Sequence, residues 1–267
     1  MAGALLTEKG FVLNRRKVGE ADVILTLLRE NGPIVRVKVH GILQSRKRSN
    51  LLTEPGCYIS ATYYHKEDAP GSLKEGHVIE RFEELKSGYD DMLLLSYLLE
   101  LTGASAGGED THDLFVLLRG CLRELQSLSA ADKRTTRDIR LLLGFFKVRL
   151  CKILGILGDP GHCSECGAEL NGPASWSLPE MNFLCENCSV NADEIEGGLS
   201  GLVRLAGDYR FANFLKRLPE LPAATKVTHE DALTRWDDAL GQCLEEFFGA
   251  PLQSATAFYG RLNREAK

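Results

Sequence analysis

Cys163, Cys166, Cys185 and Cys188 stand in two pairs within the stretch CSECGAELNGPASWSLPEMNFLCENC, in the pattern C-x2-C-x18-C-x2-C. Two residues between cysteines let a tight turn aim both sulfurs at one ion about 2.3 Å away, and two such turns complete a tetrahedron of thiolates. The spacing falls in the window of four-cysteine zinc sites. Gly167 follows Cys166, where such a turn often needs a positive φ. The competing readings are buried free thiols, a pair of disulfides and an iron–sulfur cluster. A redox CxxC is disfavoured because no βαβ pattern surrounds either pair. Four sulfurs fill every position of a tetrahedron, so a site of this kind staples a fold and leaves no place for water or substrate. One structural zinc ion is the expectation. His162 adjoins Cys163, but adjacent residues ligate one ion together only awkwardly. The other cysteines, Cys57, Cys121, Cys151 and Cys243, sit in apolar patterns and read as small core residues.

A second group of residues could meet a polyanion. Residues 1–50 hold ten Lys and Arg against four acids, a balance of +6 in a chain whose net charge is −5. A basic amino-terminal module on an acidic body indicates that one end meets polyanions. Arg15, Arg16 and Lys17 close a first strand, Arg36 and Lys38 share one face of a third, and Arg46, Lys47 and Arg48 occupy the next loop. Cations so placed can track a phosphate backbone, while Phe11, Tyr58, Tyr63 or Tyr64 could stack on bases. The plainer alternative is a solvated surface with the aromatics in the core.

The elements that must position these groups change character along the chain. FVLNRRKV, VILTLLRE, PIVRVKVHG, CYISATYYH and a last segment around GHVIERFEEL are short and rich in β-branched residues, and the third alternates between apolar and charged positions. Five strands in about 75 residues without a helical pattern suggest a small barrel of the OB type, with a Greek-key sandwich as the alternative. From Tyr89 the apolar period becomes helical, and the clearest helix is expected over about Thr136 to Leu157. The cysteine segment interrupts, and helical periodicity resumes at Leu202, Leu205 and Tyr209 and again at Leu233, Trp236, Leu240, Leu244 and Phe247. The fold class read from this is α+β: a five-stranded OB-fold barrel, then an α-helical domain with an inserted four-cysteine zinc element. The expected divisions are 1–82 for the barrel, 83–160 and 196–267 for the helical domain, and 161–195 for the zinc element. The terminal GRLNREAK is expected to fray.

Several function classes find no support. No P-loop, HExxH, GxSxG or GxGxxG motif occurs, so the chain reads as non-enzymatic. The acidic pairs at 83–84, 90–91 and 237–238 read as solvated faces. No apolar run approaches the roughly 18 residues of a membrane helix. Without a secretory signal at its start, the chain is expected in the reducing cytosol, where metal ligation gains weight over disulfides.

The segments GFVLNRRKVGEADVILTLLRENG, VKVHGILQSRKRSNLLTEP and FKVRLCKILGILGDPGHCSECG, in this order and followed by the second cysteine pair, resemble the RecO family of bacterial recombination mediators. The resemblance implies an OB-fold domain, a helical body and a zinc element between helices. It implies a DNA repair role, in association with the nucleoid, in which single- and double-stranded DNA is bound and complementary strands are annealed. The implied partners are RecR and the single-stranded DNA-binding protein SSB, with loading of RecA as the outcome. It further implies that SSB is met through an acidic tail ending in an aromatic residue, whose receptor needs an apolar pocket rimmed by cations. Arg137, Arg140 and Lys147 flank the apolar arc of the helix from 136, beside Leu143 and Phe146, and are the candidates for that rim. An OB-fold and zinc-ribbon module of transcription or RNA metabolism is the alternative.

Overall fold

A computed structural model describes residues 4–45, 50–66, 69–130, 135–171, 174–177, 180–190 and 230–265. The chain divides into two compact units, Met1–Ala130 with Leu252–Asn263, and Ala131–Pro251 with Arg264–Lys267. The helical part of the sequence is therefore shared between two units.

The first unit is built on β1 (Leu5–Val18), β2 (Asp22–Arg29), β3 (Val35–Val39), β4 (Tyr58–Tyr64) and β5 (Gly71–Glu80). They close into a barrel in the order β1-β2-β3-β5-β4, as the OB-type reading expects. Closure needs a strand with two neighbours on opposite edges, and β1 is long enough to serve. Its first half pairs with β4 and its second half with β2, and Gly10 and Phe11 pair with both. At Gly10 a side chain would lie 2.4 Å from the Leu28 carbonyl oxygen, so the bend of β1 requires a residue without Cβ. Val12, Val23, Leu25, Leu27, Val37, Val39, Ile59, Ala61 and Tyr63 fill the interior. These are the inward positions of the period-two pattern.

β1 and β5 both begin earlier than the apolar alternation suggests. The added residues of β5, Gly71–Glu75, carry one inward apolar side chain, Leu73, and are otherwise small or charged. Backbone pairing with β3 and β4 holds them, and hydropathy does not reveal it.

Helices α1 (Tyr89–Ser105) and α2 (His112–Ala130) follow. Phe11 and Tyr58 of the barrel meet Phe82 and Phe115 in a cluster with ring centroids 5.2–6.0 Å apart. Phe11, Tyr58 and Tyr63 are thus core residues and are unavailable for base stacking.

The carboxy-terminal residues depart from the expectation of fraying. The last described helix, designated α5 (Gln253–Glu265), is fastened to α1 at three points. The Glu100 carboxylate accepts from the Gln253 N–H at 2.9 Å, the Ser254 N–H at 2.8 Å and the Ser254 hydroxyl. Tyr97 stacks on Phe258 at 5.3 Å, and Arg261 donates to Asp90 at 2.7 Å. Glu100 satisfies donors that a helix start otherwise leaves unpaired, and places a negative charge at the positive end of the helix dipole.

In the second unit, α3 (Thr136–Ile153) opens with a capping box between Thr135 and Asp138. It closes a turn earlier than the apolar arc suggests, where the Gly155 N–H donates to the Lys152 carbonyl and the Ile156 N–H to that of Cys151. It packs on α4 (Glu230–Phe248), so closely that a Cβ at Gly144 would overlap the Trp236 ring at 1.7 Å. The residues 202–209 that continue the helical pattern lie outside the described residues.

Partial burial pushes the Glu100 carboxyl up, but the bonds from Ser254 and Gln253 outweigh it and hold the group below the usual glutamate range. A carboxylate whose pKa is lowered on folding stabilises above its unfolded value near 4.3, and that contribution is lost as pH falls through the lowered value. Glu100→Gln is expected to lower stability by about 1 kcal/mol at pH 7. In urea titrations the gap from wild type should narrow below about pH 4. A gap independent of pH would show that the ionised form is not what anchors α5.

Candidate metal centre and nucleic-acid interface

The sulfur site is assembled from one turn and one strand end. The first turn is held by the Cys163 N–H donating to the Ala168 carbonyl at 2.8 Å and the Gly167 N–H to the Cys163 carbonyl at 2.9 Å. Gly167 has φ +71°, a left-handed conformation that a side chain would strain. The second pair lies at the end of a two-stranded sheet, β6 (Ala174–Ser177) with β7 (Asn182–Cys185). There the Cys188 N–H donates to the Cys185 carbonyl at 3.0 Å. Trp176 and Phe183, facing partners in that sheet, stack with centroids 6.0 Å apart and supply its small core.

All four Sγ atoms lie within 4.8 Å of one another, and those of Cys166 and Cys185 are 3.7 Å apart. A tetrahedron of sulfurs about 2.3 Å from an ion has edges of roughly 3.8 Å, so the arrangement fits a thiophilic cation. His162 is not part of it; its Nδ1 lies 2.7 Å from Asp159 Oδ2. The thiols also show why a cation is called for. Burial pushes Cys163 up, but backbone N–H groups of Cys166, Cys185 and Glu165 prevail and bring it to about 6. Cys188, beside the sulfurs of Cys185 and Cys166, is pushed up to about 12. Four adjacent thiols cannot all ionise without a positive charge among them, and a bound cation removes that obstacle. The remaining cysteines, Cys57, Cys121, Cys151 and Cys243, are fully buried, as their apolar surroundings suggest.

The cations of the barrel are distributed by strand register. Arg16 of β1, Ile24 of β2 and Lys38 of β3 are mutual partners, and beside them lie Asn14, Thr26 and Arg36. Partners across a sheet share a face. The alternating positions Val23, Leu25, Val37 and Val39 are buried, so both rows look outward. Arg15 and Lys17 project from the other face of β1, and the Arg15 guanidinium reaches the Thr53 hydroxyl at 3.4 Å. Lys38 is bound to Asp22 at 2.9 Å. The Gly41 N–H and then Lys38 lower the Asp22 carboxyl to about 2, so that pair persists at any working pH. Among the described residues, Arg16, Lys17 and Arg36 form no ion pair, which leaves their charge available to an external anion. Arg46, Lys47 and Arg48 lie outside the described residues.

The helix flank needs a correction. Arg137 is exposed, but Arg140 and Lys147 are 1% and 0% exposed and cannot rim an open pocket. Lys147 Nζ lies 2.7 Å from Asp237 Oδ1, and Arg140 Nη1 lies 3.5 Å from Asp237 Oδ2. Asp237 on α4, expected on a solvated face, is fully buried between them. Leu143 and Phe146 are core as well. The reason is that α4 covers both the apolar arc and its flank, a contact made 90 residues away that the pattern of one helix does not reveal.

The sequence is similar throughout to one family. The model described as "Recombination protein O N terminal" matches residues 1–82, and "Recombination protein O C terminal" matches 87–252. The chain is 29% identical over 261 residues to the DNA repair protein RecO of Leptospira biflexa, covering 96% of this chain and 97% of that one. It is 30% identical over 217 residues to the RecO of Clostridium acetobutylicum, covering 81% of each. With the RecO of Bacillus pumilus it shares 28% over 189 residues, 69% of this chain and 68% of that one. The chain belongs to the RecO family. The barrel is the family's amino-terminal OB-fold, and the sulfur cluster falls within the match to its carboxy-terminal model.

Two outcomes are expected. The folded, reduced protein should hold about one equivalent of thiophilic metal by elemental analysis, and Cys188→Ser should lose it and melt at lower temperature. Absence of metal from folded protein would refute the site. Asp237→Ala leaves two buried cations without their anion and should cost about 3–5 kcal/mol in denaturant titrations. Asp238→Ala, at the exposed neighbouring position, should change stability by no more than about 0.5 kcal/mol.

Proposed function

We propose that this chain is a recombination mediator that works by binding and juxtaposing DNA, without catalysing a covalent step. Membership of the RecO family gives it a role in DNA repair and recombination. On this reading the barrel takes single- and double-stranded DNA through Arg15, Arg16, Lys17, Arg36 and Lys38, joined by Arg46, Lys47 and Arg48, which follow in the sequence. Complementary strands anneal on it, and with RecR it acts on SSB-coated DNA to load RecA. The observation that carries the DNA reading is the outward face of β1–β2–β3, on which Arg16 and Arg36 stand without an acidic partner among the described residues.

Annealing asks little of a protein chemically. Two strands repel through their phosphates, and cations that neutralise them lower the repulsion while the surface raises the local concentration of both. No proton need be moved and no bond broken, which accords with a metal set whose four donors are all sulfur and leave no open position. We assign the ion as zinc, which tetrahedral thiolate sets favour, and its role as holding the two turns together. The acidic tail of SSB is proposed to meet the protein at cations other than Arg140 and Lys147, which Asp237 already engages.

Purified protein is expected to accelerate annealing of complementary oligonucleotides, both naked and SSB-coated. Arg16→Ala with Arg36→Ala should weaken single-strand binding regardless of sequence. The same double substitution should reduce the log–log salt slope by roughly 0.7 for each phosphate no longer neutralised. Unchanged affinity and slope would place the DNA elsewhere on the protein.

A further inference from the structure

Hydrogen-bonded partners extend the cation-bearing row beyond the three strands already described. Lys38 of β3 is partnered by Ser72 of β5, Ser72 by Tyr64 of β4, and Tyr64 by Leu5 at the start of β1. The row Arg16, Ile24, Lys38, Ser72, Tyr64, Leu5 thus encircles the barrel, and the adjacent Tyr63 and Leu73 point inward and are buried. Neighbouring strands are about 4.8 Å apart, so Lys38 stands about 10 Å along the row from Tyr64 on one side and about 10 Å from Arg16 on the other. Tyr64 is 40% exposed, whereas Phe11, Tyr58 and Tyr63 are at most 2% exposed. Among the described tyrosines and phenylalanines of the barrel strands, this is the one ring open to solvent, and it lies in the same row as two cations.

We propose that Tyr64 is a base-stacking residue of a single-stranded DNA path that crosses the barrel from Tyr64 over Ser72 and Lys38 to Arg16. The proposal rests on the DNA-binding reading above. Cations hold phosphates whether the DNA is single or double, because both present the same backbone. A ring can stack only on a base whose face is free, which a single strand offers and an intact duplex keeps within its own stack. Tyr64 therefore separates the two substrates: it adds affinity for the single strand and nothing for the duplex. Ile24 and Ser72, between the charged and aromatic positions, are small or apolar enough to let the strand lie close to the sheet. Because Lys38 is shared with Asp22, Arg16 and Arg36 provide most of the charge, and the contribution of Tyr64 does not depend on salt.

The native tryptophans, Trp176 and Trp236, are 0% and 2% exposed. A Tyr64→Trp variant therefore carries one solvent-facing indole as a reporter. Its emission is expected to be quenched on titration with a single-stranded oligothymidine and to stay unchanged with a blunt duplex of equal length. Tyr64→Ala should weaken single-strand binding about fivefold or more while keeping the salt slope and duplex affinity of the wild type. Tyr64→Phe, which keeps the ring, should bind as the wild type. Unquenched emission from the Tyr64→Trp variant together with unchanged affinity of the alanine variant would overturn the proposal. Equal loss of single-strand and duplex binding would overturn it as well, since a stacking residue has no purchase on the duplex. Failure of the wild type to bind single strands at all would instead overturn the DNA-binding reading on which it rests.

Discussion

The sharing of β1 between two neighbours is the constraint on which the amino-terminal unit depends. A strand that pairs with β4 through its first half and β2 through its second must bend, and at Gly10 the Leu28 carbonyl comes too close for any side chain. The sheet closes on itself, with β3 and β5 joined at Val37–Gly71 and Lys38–Ser72, so every strand has a neighbour on each side. The residues facing outward therefore form continuous rows around a cylinder. Arg16 near one end of β1 and Leu5 near the other fall in one such row, with Lys38 and Tyr64 between them. Residues that the sequence scatters over about sixty positions become neighbours by register alone.

The same residue types serve opposite ends in the two units. Arg16 and Arg36 stand on a sheet face and form no ion pair among the described residues, so their charge is available to an external anion. Arg140 and Lys147 are enclosed, and removing charges from water is costly unless a partner takes their field. Asp237 is that partner, and with Trp236 against Gly144 it fixes how α4 lies on α3. A cation's burial and partner, rather than its spacing on a helix, decide whether it can meet another molecule.

This contrast explains what is legible in the sequence. Alternating residues of PIVRVKVHG announce a strand with Arg36 and Lys38 on one face, because period two is a local property of the chain. The metal ligands are legible for a like reason: each CxxC turn aims its own two sulfurs. Asp237 misleads because its partners lie 90 positions away, and the helix carrying it is amphipathic whether or not a second helix covers its polar flank. The docking of α5 is hidden because the acid that caps it, Glu100, lies 153 residues earlier. Tyr64 reads as a surface aromatic or a core residue with equal justice until the register of β4 separates it from Tyr63.

The return of α5 to α1 also bears on how the protein is made. The amino-terminal unit is interrupted by the segment Ala131–Pro251 of the other unit before its last helix is reached. At about 5–20 residues per second, a ribosome needs roughly 6–24 s to cross that interval. For that time the surface around Tyr97 waits for Phe258, and Glu100 for the helix start it will cap. The nascent barrel can close meanwhile, since all five strands lie within Leu5–Glu80. Completion of the unit is thus tied to synthesis of Gln253–Glu265, and a chain truncated before Gln253 would leave a barrel with its supporting helices unfinished.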